Sequence, residues 1–197
     1  MAMNATSHTG PVDHWYALYQ YDKTLLIKPQ SINDEDITCQ YPSKVLDGSP
    51  LNLDIYVQSI DHARISGQIA KRINALKART PSMDEVLRTV TELDIKLQKW
   101  RESQPHFLGL DPQEANLPPN IHPTHAYYKS YAYYGSLITI HSILVHPWNA
   151  LAVKLEPGQK QNFMERIAHS TDIVVGASRK MIQNLRHITI NAASPKW

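Results

Sequence analysis

Between Thr124 and Val145 the chain carries apolar and aromatic side chains around most of a helical circumference. Tyr127, Tyr131, Tyr134, Ile138, His141 and Val145 fall on one side, with Tyr128, Leu137 and Leu144 beside them. A helix apolar over so wide an arc is expected at the centre of a core. Pro147 follows His146 and ends it, because proline has no amide N–H and disfavours helix at the residue before it. Other elements must therefore cover this one.

The rest of the sequence offers helices to do so. Ser82-Met83-Asp84-Glu85 matches a capping box, the serine bonding forward and the glutamate reaching back. Val86, Val90, Leu93, Leu97 and Trp100 follow at three- and four-residue steps, a narrow stripe that ends at Pro105. From Asn52 to about Arg79 the spacing of Leu53, Val57, Ile60, Ala63 and Gly67, and of Ile65, Ile69 and Ile73, is again helical. Gly67 costs a helix about 1 kcal/mol against alanine, which suggests close approach of a second helix. Asp13 to Lys28, with Trp15, Leu18, Tyr19, Leu25 and Leu26, reads as a first helix capped by Asp13, and Val45 to Pro50 as a turn-rich link. Residues 104–123 hold five prolines (Pro105, Pro112, Pro118, Pro119, Pro123) and read as an ordered but irregular crossover. After a Pro157-Gly158 loop, a last helix is expected over Gln161–Ile188, with Ile167, Val174, Met181, Leu185 and Ile188 in register. No stretch alternates with period two between hairpin turns. The expected architecture is all-α, an irregular array of about five long helices.

Between the first two helices lies the densest group of carboxylates, Asp34, Glu35 and Asp36, flanked by Pro29, Ile32, Asn33 and Ile37 and closed by Tyr41-Pro42-Ser43. Asn33 can cap a new turn, and acids there face the positive end of its dipole. The cluster therefore reads as a capped corner rather than a metal or catalytic site. A formal net charge of +2 with no long basic run lacks the cationic face that DNA-binding modules use. One cysteine, Cys39, excludes an internal disulfide and a multi-cysteine zinc site. No apolar run approaches the ~20 residues of a membrane span, and the polar start does not read as a signal peptide.

Ten histidines make a metal site worth testing. His122 and His125 flank Pro123 without a completing carboxylate, and His141 and His146 diverge around a helix. No metal site and no metal cofactor is expected in the chain. Cys39 reads as a small buried hydrophobe and His141 as a hydrogen-bonded core residue. Nucleophile-elbow and phosphate-loop motifs are missing, so no enzymatic activity is expected. Tyr127, Tyr131 and Tyr134 with His141 could line a pocket for a small effector, or could pack the core with their hydroxyls reaching the surface.

Several of these stretches resemble, in order, the fungal-specific transcription factor domain, the helical middle region of zinc-cluster transcription factors. They are Trp15-x3-Tyr19-x2-Asp22-Lys23, then Lys28-Pro29-x2-Ile32-x-Asp34-Glu35-Asp36-Ile37, then Tyr41-Pro42-Ser43. Tyr56 to Ile69 is similar to the family's next helix, and Leu93-x3-Leu97-x2-Trp100-x2-Ser103-x-Pro105 to a helix end in the family. Tyr131 to Trp148, with Pro147, is similar to its tyrosine-rich helix. The sequence departs from the pattern at Lys23, at Ile27-Lys28-Pro29 and at Val145-His146-Pro147-Trp148. The Asp22–Pro29 span is also shorter than the family's by nearly one helical turn.

The resemblance implies a regulatory region of an RNA polymerase II transcription factor in a fungal nucleus, one that modulates transcription without touching DNA. In the family, DNA binding and zinc belong to an N-terminal six-cysteine cluster, which this sequence lacks. It also implies that residues 13–197 are a partial copy of the domain behind a flexible lead-in over residues 1–12. Two alternatives stay open. One is an interaction module that dimerises with or represses a full-length relative. The other is a small-molecule-binding helical protein. A protein partner or a small effector is thus expected, and neither nucleic acid nor membrane.

Overall fold

The computed structural model describes residues 40–44, 52–79, 81–105, 109, 111, 117, 118, 121, 123–145 and 157–187. Four helices account for nearly all of them: α1 (Leu53–Lys77), α2 (Met83–Glu102), α3 (Thr124–Val145) and α4 (Pro157–Leu185). Among the described residues there is no strand, and the class is all-α as the periodicity predicts. The expected first helix, the acidic corner from Pro29 to Ile37, the Val45–Pro50 link, Cys39, His122, His146 and Pro147 lie outside the described residues.

Side-chain caps set the starts of α1 and α2. Asn52 accepts from the Ile55 amide at 3.0 Å, and Ser82 accepts from the Glu85 amide at 3.3 Å. The Ser82 bond is the forward half of the expected capping box; Glu85 instead pairs with Arg79. The end of α2 explains the spacing Trp100-x2-Ser103-Gln104-Pro105. The Trp100 carbonyl, orphaned by the helix end, accepts from the Ser103 hydroxyl and from the Gln104 side-chain Nε2, both at 2.8 Å. Pro105 then forbids another turn.

The start of α4 corrects the sequence expectation. Pro157 and Gly158 are its first two residues rather than a loop. Proline suits that place, since its missing N–H would have no intrahelical partner there.

Cross-helix bonds fix the arrangement. Arg72 meets Glu92 at 2.6 Å and Lys96 meets Gln68 at 2.8 Å, which runs α1 and α2 antiparallel. His141 meets Ser170 at 3.0 Å and Ser130 meets Asn184 at 2.8 Å, which runs α3 and α4 antiparallel. The α3 helix packs against all three others, and no side chain from His125 to Val145 is exposed. The wide apolar arc is thus central, as expected. Its deepest positions are Ala126, Ser130 and Ile140, followed by His141 and Ile143, rather than Tyr127, Tyr131 and Tyr134. Small residues at those depths let the neighbouring helices approach.

One continuous core joins Ile69, Ile73 and Leu76 of α1, the whole Val86–Trp100 stripe of α2, Tyr133, Ile140, Ile143 and Leu144 of α3, and Phe163 of α4. The α2 stripe emerges as read from the sequence, and Gly67 is buried on α1. On α4 the buried positions are Phe163, Ser170, Ala177 and Asn184, seven residues apart. Ile167, Val174 and Met181 are half-buried beside them, and Leu185, expected in the same row, is exposed. A smaller cluster of Ile55, Leu117, Ile121 and Ala126 seats the crossover on the starts of α1 and α3.

Candidate functional site

The buried faces of α1 and α3 are not wholly apolar, and their polar groups converge where the end of α2 crosses them. His62 lies on the α1 stripe that continues through Ser66, Ile69, Ile73 and Leu76. Its Nε2 is 3.0 Å from the Ala132 carbonyl and 3.0 Å from the Ser136 hydroxyl, both on α3. A carbonyl can only accept, so Nε2 carries the proton and Nδ1 is left to accept from Ser66 at 3.4 Å. Burial pushes the imidazole down to about 4, with the Lys129 charge adding in the same direction, so the ring is neutral at physiological pH. A serine beside a neutral histidine is the beginning of a nucleophilic pair, but such chemistry needs a substrate carbonyl to reach the hydroxyl. His62, Ser66 and Ser136 are all buried, and the group works as a hydrogen-bonded joint between α1 and α3.

Trp100 tilts against the His62 ring at 4.8 Å, and its indole N–H donates to the Gln58 carbonyl at 3.1 Å. Lys129 Nζ stands 5.9 Å from the indole centroid. That ammonium and the Gln104 Oε1 are buried without hydrogen-bond partners. Burial pulls the Lys129 amine down to about 7. An anionic group that reached Lys129 would meet an unpaired cation over an aromatic face. Lys129→Met keeps the aliphatic packing and removes the strained charge, and is expected to raise the thermal midpoint at neutral pH by about 3 °C. Between pH 7 and 10.5 the unfolded chain holds the lysine proton more tightly, so the parent gains stability with rising pH there. The variant should lack that gain, and thermal melts across that range check both points.

The four residues considered for an effector pocket all lie along α3 but are held by separate partners. Tyr131 donates to the Met181 carbonyl at 2.6 Å, and the Tyr127 ring stacks 6.4 Å from His187. Tyr134 packs on the main core, with its ring 5.3 Å from Tyr133. His141 is buried against Ser170, with Nε2 3.7 Å from an Asp94 carboxylate oxygen. From Tyr127 to His141 the row runs about 21 Å along the helix. Burial raises the phenols of Tyr131 and Tyr134 above the ordinary value. Tyr131 and His141 thus tie α3 to α4.

Of the motif residues, the described ones have structural partners. Trp100 joins α2 to α1, Pro105 ends α2, and Pro42 is half-buried next to Tyr41. The Tyr41 hydroxyl donates to Asp61 and accepts from Arg64, both at 2.6 Å, and Arg64 also covers its ring. This pins the Tyr41-Pro42-Ser43 segment to α1. Asp22, Pro29, Ile32, Asp34, Glu35, Asp36, Ile37 and Pro147 are outside the described residues. Among the described residues, no group of three or more His, Cys, Asp or Glu could hold a metal ion, and no helix is long and apolar enough to cross a membrane. Sequence reasoning passed over His62, Gln104 and Lys129. Stepping back by threes and fours from Ile73 through Ile69 and Ser66 reaches His62, and that was the available signal.

Comparison with known proteins adds a likeness over part of the chain. An "ABC-transporter-regulating transcription factor" of Aspergillus fumigatus is 30% identical over 150 residues, covering 67% of this chain and 16% of the relative. A protein of the same name from Aspergillus oryzae is 29% identical over 145 residues, covering the same shares. The chain thus spans 16% of the length of these curated relatives, which are fungal transcription regulators. No protein-family model matches the chain, and no solved structure matches it significantly.

Proposed function

We propose that this chain is a regulatory helical region of a fungal transcription factor, acting in the nucleus on RNA polymerase II genes without itself contacting DNA. The observation that carries this reading is the likeness over 150 residues to a fungal transcription regulator. The relatives' name extends the proposal to the targets, which are genes for ABC transporters. No catalytic step belongs to this reading; the polar groups of the interior serve packing.

Electrostatics support the absence of DNA contact. Phosphate binding needs clustered, available cations. Here the net charge is +2, and Arg72 and Arg79 are engaged with Glu92 and Glu85 on exposed faces. The Arg72 guanidinium lowers the Glu92 carboxyl below its ordinary value. A gel-shift titration of the 197-residue chain at physiological salt, on duplexes from an ABC-transporter promoter, is expected to give no sequence-specific band. A specific, competitor-resistant complex would overturn this reading.

A further inference from the structure

The α4 helix carries two apolar rows, and α3 covers one of them. The second row is displaced by one residue, about 100° around the helix. Met164 is 53% exposed, Val175 40%, Ile182 62% and Leu185 50%. The small residues Ala168, Thr171 and Ser178 fill the steps between them, so the row advances by four and three residues from 164 to 185 without a break. That is the a/d repeat of a helix made to face another helix, over about 32 Å.

The positions flanking this row carry a charge pattern. Following the d residues Met164, Thr171, Ser178 and Leu185 come Glu165, Asp172, Arg179 and, one residue past the last turn of α4, Arg186, all exposed. The first half of the row is acidic and the second half basic. None of the four has an Asp, Glu, Lys or Arg three or four residues away on α4, so pairing within the helix does not account for the pattern. In an antiparallel helix pair, e positions face e positions. Two copies of α4 then set Glu165 against Arg186 of the partner subunit and Asp172 against Arg179 of the partner subunit. Both pairs fall in one register, with the dyad between Val175 and Gly176, and the two-fold repeats each of them. In a parallel pair e positions would face g positions, here the apolar Ile167, Val174 and Met181, and the four charges would find no partner across the seam.

We infer that the outer face of α4 is a homodimer interface, in which two copies of this chain pair antiparallel through the Met164–Leu185 row with Glu165–Arg186 and Asp172–Arg179 bridges across it. The inference stands on α4 alone and is independent of the transcriptional reading.

Sedimentation equilibrium of the full chain at micromolar concentration is expected to show a monomer–dimer equilibrium. Asp172→Arg replaces two attractions by two repulsions and should weaken the dimer by roughly tenfold. Its helical circular dichroism should be unchanged, since Asp172 is exposed and makes no bond among the described residues. Adding Arg179→Asp exchanges the two charges and should restore the parent dissociation constant. A chain that stays monomeric at every concentration, with the row covered by its own segments or left in water, would overturn the proposal. So would a dimer indifferent to Asp172→Arg, or one that the second substitution does not restore.

Discussion

Trp100→Ala is expected to lower the unfolding free energy by about 4 kcal/mol, the largest loss from any single side chain of this core. The indole fills the space between α1 and the end of α2, with 4% of its surface exposed. Truncation removes that volume and strips the His62 ring of its aromatic neighbour. It also leaves the Gln58 carbonyl without the indole donor 3.1 Å away. Lys129, which already has no hydrogen-bond partner, would lose the aromatic face beneath it as well. Trp100→Phe separates these contributions, since it keeps most of the apolar contact and forfeits only the N–H bond and the outer ring. Its cost should be about 1–2 kcal/mol. Urea titrations followed by circular dichroism measure both losses, and equal losses for the two variants would show that the hydrogen bond, not the volume, dominates.

The second large effect is a loss of stability in acid, traced to His62. In the unfolded chain the imidazole titrates near 6.5, whereas in the folded chain burial holds it near 4. Between those values the unfolded state binds the extra proton, so folding stability falls as pH falls through that window. The whole contribution is present above pH 6.5 and is lost by about pH 4, a swing of roughly 3 kcal/mol. Protonation also turns Nδ1 from an acceptor into a donor facing the Ser66 hydroxyl. His62→Gln removes the titrating group while keeping a donor for the Ala132 carbonyl. The difference in unfolding free energy between parent and variant should therefore shrink steadily from pH 6.5 to 4. A constant difference across that range would place the acid sensitivity elsewhere.

The parts of the fold that could be read from the sequence are those where local chemistry and packing agree. Ser82 caps α2, the Val86–Trp100 stripe is fully buried, and Pro105 closes the helix, because each signal acts within a few residues of where it is written. The centrality of α3 was legible for the same reason, from the breadth of its apolar arc. Which of its residues lie deepest was not. That depends on α4 and α1 approaching at Ser130 and Ser136, and small polar residues carry no periodic signal of their own. On α4 the chain holds two apolar rows one residue apart, and spacing alone cannot say which of them meets α3. The Phe163–Asn184 row does so, although half of its buried members are polar, because Ser170 and Asn184 find partners in His141 and Ser130. The Lys129–Trp100–His62 junction escaped notice because its members come from three helices and meet only in the folded chain. Pro157, read as part of a loop, is the first residue of α4, a place where its missing N–H is harmless.

The most direct measurement of the proposed role is transcriptional output from a tethered copy. Residues 1–197 fused to a heterologous DNA-binding domain would be placed upstream of a reporter in a fungal host. The account predicts that the fusion changes reporter output relative to the DNA-binding domain alone, and that Trp100→Ala, by unfolding the region, abolishes the change. Output identical to that of the DNA-binding domain alone, from a fusion shown to be folded and nuclear, would contradict it.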